Sequence, residues 1–309
     1  MVTDLIKLKS FLHAAEDLSF SDAANHMHLT QPTISHHIKT LERELGVALF
    51  VRSGSNLKLT EAGRLLLPRA RKLIHQAIET HEMMASLQDG IVGHLRIACS
   101  TTAGKYILPL LAARFCQRYP GIRVSILTCT PEHVVPRLLE SDANLGVASS
   151  YEACGNGMEC QTFFRDSITL IVPADHPWAF CQSIGPEDLV EEPMIIREPT
   201  SGTRRVLLTE LAKHDITLDD LNIFLELGNA EAIVRTVVAG FGVSFVSTLA
   251  TACPLERGNV VEVPVAGLEL QRRIYMVRCS LDEPNRPQEA FWSFVHDPAN
   301  TDLLRLAGP

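Results

Sequence analysis

Six side chains between residues 31 and 39 carry hydrogen-bonding groups on one short stretch: Gln31, Thr33, Ser35, His36, His37 and Lys39. Amide, hydroxyl, imidazole and ammonium groups set so closely can bond phosphate oxygens and reach base edges in the major groove of duplex DNA. Arg52, in a turn-rich segment farther on, suits a backbone phosphate or the adjacent minor groove. Any one of these residues alone is an ordinary solvated side chain, so the reading depends on the elements that hold them together. A second set is spread wider. Ser100-Thr101-Thr102 and Thr200-Ser201-Gly202-Thr203 each follow an apolar run and precede a helical pattern, while Thr128, Ser149 and Asn229 close three further strand-like runs. Helix N-termini present hydroxyls and unpaired N–H groups to anions, and open α/β sheets bind ligands beyond the carboxyl ends of their strands. A lone residue of this kind is a helix cap. Five strand ends together predict a cleft for a small carboxylate, phosphate or sulfate-like anion, because no aromatic box lines these segments.

Stepping outward from the first set, residues 4–45 carry helical spacing. Leu5, Leu8, Leu12 and Ala15 form one apolar stripe, and Ser19 to Asp22 supply capping chemistry before Ala23-Ala24. Thr30 or Gln31 caps a third helix with Pro32 in its first turn, Ile34, Ile38, Leu41 and Leu45 line its inner side, and Gly46 stops it. Residues 47–51 and 57–59 alternate like strands around the turn-forming 52–56. The expectation is a three-helix unit with a small hairpin, a winged helix-turn-helix. From Thr60-Glu61-Ala62 to about Asp89-Gly90 runs a long helix. Its positions 66, 70, 73, 77, 80, 84 and 87 hold Leu, Ala, Leu, Ala, Thr, Met and Leu, a seam suited to pairing with a second copy.

Beyond residue 91, strands expected at 93–99, 122–128, 144–148, 168–173, 194–197, 223–227, 243–247, 260–265 and 273–278 alternate with helices at 104–118, 131–140, 203–214, 230–239 and 287–296. Such alternation predicts parallel sheet flanked by helices, and the length of this region predicts two α/β lobes. The organisation is therefore 1–60 as the winged unit, 61–90 as a dimerising linker helix, and 91–309 as a two-lobed domain, lobe I about 91–161 with 267–309 and lobe II about 162–266.

The 309 residues carry 28 Lys and Arg against 36 Asp and Glu, a net charge of −8. The first 90 residues are neutral and hold seven of the twelve His, so the acidity belongs to the body. A strongly basic nucleic-acid binder looks different, which makes any DNA contact depend on a few well-placed donors and on avidity between subunits. No apolar run of about 18 residues exists, which excludes a helical membrane span. The amino-terminal sequence lacks the basic and apolar regions of an export signal, predicting a cytoplasmic protein. Eight Cys, at 99, 116, 129, 154, 160, 181, 253 and 279, show no CxxC and no metal-ligand spacing, and are expected as free thiols, with no cofactor and no metal. Cys99 and Cys129, at neighbouring strand ends, are close enough in the expected fold for pairing to be conceivable. Enzyme motifs are missing as well: no GxSxG, P-loop, HExxH or strand-linked GxGxxG occurs.

Phe20-Ser21-Asp22-Ala23-Ala24, Leu29-Thr30-Gln31-Pro32-Thr33-Ile34-Ser35 and Ile38-Lys39-Thr40-Leu41-Glu42-Arg43-Glu44-Leu45-Gly46, followed by Leu49-Phe50-Val51-Arg52 and Leu59-Thr60-Glu61-Ala62-Gly63, resemble the LysR-type transcriptional regulators. The resemblance continues through Arg197 to Arg204, Glu226 to Ile233 and Gly240-Phe241-Gly242-Val243, so it spans nearly the whole chain. It implies DNA contacts from Ser21, Thr30, Gln31, Pro32, Thr33, Ser35, His36, His37, Lys39 and Arg52. It also implies an effector domain similar to periplasmic solute-binding proteins, with Thr101, Thr102, Thr128, Ser149 and Thr203 near the ligand. The implied partners are double-stranded promoter DNA, a second copy in a dimer or dimer of dimers, and RNA polymerase, with no membrane. Where the family often has Arg, this sequence has His36, which exchanges a permanent charge for an imidazole and predicts a weaker or pH-sensitive contact. A thiol-based redox-responsive regulator is the alternative. The peroxide-sensing branch places reactive Cys after the strand matching 194–197, and residues 182–252 here hold none. The second-lobe motifs look most like regulators of sulfur assimilation and carbon fixation.

Overall fold

Capping chemistry sets the first three helices. In a computed structural model, which describes residues 4–53, 56–99, 102–149, 151–155, 157–280 and 285–307, Asp4, Ser19 and Thr30 accept hydrogen bonds from the first free N–H groups of α1 (Leu5–Asp17), α2 (Phe20–Met27) and α3 (Gln31–Leu45). Left-handed residues end each one: Leu18, His28 and Gly46 have φ of 48°, 54° and 74°. The apolar stripes meet in one core that contains Leu8, Phe11, Ala14, Ala23, Ala24, Ile34, Ile38, Leu41 and Leu49. β1 (Phe50–Ser53) and β2 (Asn56–Leu59) pair antiparallel as the wing. α4 (Glu61–Asp89) follows, capped by Thr60.

The front of the expected seam on α4 is used inside the protomer. Ala70 is fully buried in the winged unit's own core, and Leu66 and Ile74 pack against it. Leu73 and Met84 are exposed, and the side chain of Leu87 lies outside the described residues. Residues up to Gly93, with 139–142, form one compact unit, and the remainder of the chain forms a second.

The second unit is built on β3 (Gly93–Cys99), β4 (Ile122–Thr128), β5 (Leu145–Ala148), β6 (Met158–Pro173), β7 (Met194–Arg197), β8 (Ile223–Leu227), β9 (Val243–Ser247), β10 (Val260–Val263) and β11 (Gln271–Cys279). The order is β4-β3-β5-β11-β6-β9-β7-β8, with β10 paired to β6. Parallel pairing was expected throughout; the sheet is mixed. β3 and β5 are parallel, as are β7 with β8 and β9, but β6 and β11 run antiparallel to their neighbours. The reason is topological. Residues 158–167 of β6 pair with β11 in one half of the sheet, and residues 168–173 pair with β9 and β10 in the other, so β6 carries the chain between two lobes.

The helices α5 (Thr102–Tyr106), α6 (Leu108–Arg118), α7 (Val134–Leu139), α8 (Gly202–Leu211), α9 (Ala230–Val238), α10 (Ala252–Glu256), α11 (Arg286–Phe294) and α12 (Thr301–Leu304) cover the sheet. The single helix expected at 104–118 divides before Leu108, with Pro109 in the first turn of α6. Separate cores lie in the halves, one around Ala98, Val134, Leu138 and Val277, the other around Leu170, Met194, Leu207 and Phe245. The expectation of eight free thiols fails at one place: Cys154 and Cys160 form a disulfide.

Candidate functional site

Burial of Ile34, Ile38 and Leu41 rolls the opposite side of α3 outward. Gln31, Pro32, His36 and Lys39 are exposed there, as are Ser21 on α2 and the capping Thr30. Thr30 accepts from the Thr33 N–H at 3.4 Å, and the two hydroxyls lie 2.8 Å apart. Ser35 and Thr33 are half-buried. His37 differs from its neighbours. Its Nδ1 lies 2.8 Å from Oγ of the fully buried Ser10, which leaves Nε2 for an outside partner. The Arg52 side chain lies outside the described residues; its backbone sits in β1 opposite Leu57. Arg43 went unrecognised in the sequence although it is exposed and continues the stripe 32, 36, 39, 43, the polar counterpart of the apolar 34, 38, 41, 45. That 4-3-4 spacing was the available signal.

Four residues of the second set, Ser149, Ser201, Gly202 and Thr203, meet at the N-terminus of α8. Ser201 caps the helix, accepting from the Thr203 N–H at 3.2 Å. Ser201 and Thr203 are buried. The Thr203 hydroxyl has no hydrogen-bond partner among the described residues, and neither does the buried Thr248 hydroxyl. Gly202 explains how the groups approach one another: a Cβ placed there would lie 2.4 Å from Ser149 Oγ and 2.9 Å from Arg272 Nη1. Ser149, at the end of β5, therefore meets α8 across the two lobes.

Arg272 is buried and was not recognised in the sequence. Its Nε donates to Asp166 Oδ2 at 2.7 Å, and Nη2 lies 2.7 Å from the same oxygen as an ion pair without the alignment of a hydrogen bond. Ser247 donates to Asp166 Oδ1 at 2.6 Å. Asp166 is fully buried, so its charge is held by these two partners, and Nη1 is the arm of Arg272 turned to Gly202 and Ser149. With the roughly half positive charge of a helix N-terminus, this end of α8 joins a guanidinium, the Thr203 hydroxyl and free N–H groups.

Other expected residues stand apart from that point or outside the described residues. Ser100 and Thr101 fall outside them, and of Thr102 only the backbone, at the start of α5, is described. Thr128 is exposed at the end of β4, whose next residue, Cys129, donates its N–H to the Cys99 carbonyl at 3.1 Å. Thr200 is exposed. Asn229 caps α9, accepting from the Glu231 and Ala232 N–H groups at 2.9 and 3.1 Å, so its carbonyl is committed to that helix. Nearby, Tyr106 of α5 donates to Glu231 at 3.1 Å. Burial, and then the Glu231 charge, push the phenol up to about 12.

Comparison with known proteins places this geometry. The family described as "LysR substrate binding domain" matches residues 88–299, and "Bacterial regulatory helix-turn-helix protein, lysR family" matches residues 5–64. The HTH-type transcriptional activator CmpR of Synechocystis sp. is 30% identical over 297 residues, covering 96% of each chain. Full-length CbnR complexed with its target DNA superposes at a TM-score of 0.70 with 23% identity, over 94% of this chain and 98% of that one. The Synechocystis CcmR regulatory domain in complex with 2-PG superposes at 0.59 with 27% identity, over 66% of this chain and 95% of that domain. Among the described residues, no helix is long and apolar enough to cross a membrane.

Proposed function

The chain belongs to the LysR family of bacterial transcriptional regulators, and on that premise we propose that it binds promoter DNA through α3 and the wing and reads a small anion at the N-terminus of α8. It is a regulator and not an enzyme, as its family is. In this reading Ser21, Thr30, Gln31, Pro32, Thr33, Ser35, His36, His37, Lys39 and Arg52 face the DNA, with Arg43 added to them. Ser149, Ser201, Gly202, Thr203 and Arg272 form the heart of the effector site, and Ser100, Thr101, Thr102, Thr128, Thr200 and Asn229 are the further effector contacts expected from the sequence. The winged unit is residues 1–60, the linker helix 61–90 and the effector domain 91–309. The exposed part of α4 from Leu73 onward pairs two copies as a dimer or dimer of dimers, and the protein works in the cytoplasm beside RNA polymerase.

One observation carries the effector reading: the buried Thr203 hydroxyl, without a partner among the described residues, next in sequence to Gly202, which the inward arm of Arg272 approaches. An unpaired buried donor costs about 1–3 kcal/mol, which an anion accepting from it recovers. That the similar CcmR regulatory domain forms a complex with 2-PG supports a small anionic effector. A thermal-shift series with 2-PG, phosphate, sulfate and neutral sugars of similar size tests this. Anions should raise the melting temperature and neutral compounds should not; equal shifts in both groups contradict the reading.

A further inference from the structure

We propose that Cys154 and Cys160 are a dithiol–disulfide pair through which a low-molecular-weight disulfide of the glutathione class alters the effector cleft. The cleft part rests on the reading above. The pair lies in lobe I, away from α8's own segment, in which residues 182–252 carry no Cys. Both sulfurs are bonded in the structure, six positions apart in sequence, and both residues are half-buried, which leaves them open to a small thiol. A regulator that meets DNA works among reducing thiols, where disulfides are for the most part transient and sensing.

Position gives the bond its consequence. Cys154 ends the turn Tyr151–Cys154, which begins two residues after Ser149, the side chain that meets Gly202. Ala153, beside Cys154, is buried in the core with Ala148 and Val277, and Cys160 packs against the same core. Cys160 pairs with Val277 near the start of β6, and six residues along that strand Asp166 holds Arg272. The bond therefore ties together the two segments that carry Ser149 and Asp166. Opening it removes the covalent link between the turn Tyr151–Cys154 and β6, leaving only the apolar packing of Ala153 and Cys160 to hold them together.

The chemistry balances. The thiolate of one Cys attacks the disulfide of the oxidant, forming a mixed disulfide and releasing one thiolate; the second Cys displaces the other. Two protein thiols lose two electrons and two protons, and one small disulfide becomes two thiols. Cys99, Cys116, Cys129, Cys181, Cys253 and Cys279 remain thiols.

The full-length protein equilibrated in graded mixtures of reduced and oxidised glutathione, then alkylated and mapped by mass spectrometry, tests the pair. Oxidation should remove two alkylatable thiols, at Cys154 and Cys160, with the transition inside the range those mixtures span. Hydrogen exchange over residues 145–150 and 200–206 should be slower in the oxidised form, and 2-PG affinity should change roughly 5-fold or more, the lower range of allosteric coupling. Cys154→Ala and Cys160→Ser should each abolish all three differences. Alkylation of both thiols in every mixture, a disulfide that survives every mixture, or identical exchange in the two forms would overturn the proposal. Failure of 2-PG to bind either form, with the exchange difference intact, counts against the effector reading and leaves the redox pair standing.

Discussion

At Gly202 the missing side chain lets Ser149 and Arg272 approach the start of α8. Gly202→Ala would bring a methyl group to 2.4 Å from Ser149 Oγ, so the serine must give way. Overpacking of this kind costs about 1–3 kcal/mol, and anion affinity should fall with it while DNA binding persists; calorimetric titration beside a DNA-binding assay reads both. Tyr106 gives a pH dependence. Its phenol is raised from 10 to about 12, so the protonated form is favoured by the fold. Its contribution is fully present below pH 10 and is lost as pH rises through about 12. The stability difference between wild type and Tyr106→Phe should be constant to pH 10 and then shrink, and a difference that grows above pH 10 would contradict the assignment. On α3, Gln31→Ala with Ser35→Ala should weaken operator binding by about 1–3 kcal/mol per lost base contact, with circular dichroism unchanged. That Ser149 follows a strand and that Ser201 and Thr203 open a helix was legible, because strand ends and helix starts have local signatures. Arg272 was not, since its partner Asp166 lies 106 positions away and no local pattern marks a strand Arg as buried.

Helix α4 shows how one element serves two masters. Its first turns, through Leu66, Ala70 and Ile74, complete the winged unit, and exposed Leu73, Ile78 and Met84 remain for another surface. Leu73→Asp should cost an apolar interface several kcal/mol, and sedimentation should then show a smaller species than wild type; an unchanged assembly would place the main contact elsewhere. The heptad pattern revealed the stripe but not its division, because burial in the protomer and burial in a partner leave the same apolar spacing. Elsewhere the strands at 93–99, 122–128, 194–197, 223–227 and 243–247 fall where the alternation put them. The first half of β6 did not announce itself. Gln161, Thr162 and Arg165 break its apolar character, and its strand state depends on pairing with β11, more than a hundred residues away.

Across the whole molecule, a neutral front and an acidic body mean that neither DNA nor anion is held by bulk charge. In the proposed function, recognition falls instead to placed groups: the outer stripe of α3 and the meeting of Ser149, α8 and Arg272. The two-lobed effector domain was legible from strand–helix alternation, whereas the antiparallel crossing strands were not, because sequence alternation carries no record of strand direction. The disulfide was equally hidden, since the spacing of Cys154 and Cys160 matches no motif. The central claim is that an anion completes the hydrogen bonding of Thr203 beside Arg272. Thr203→Val keeps the shape of the side chain and removes a hydroxyl that has no partner among the described residues, so the unliganded variant should be more stable than wild type, by up to about 1–3 kcal/mol. Calorimetric titration of 2-PG into both proteins is the most direct measurement. The expected result is binding to wild type and an affinity about tenfold lower in the variant, the loss of one hydrogen bond of roughly 1.4 kcal/mol; equal affinity would contradict the claim and place the site elsewhere.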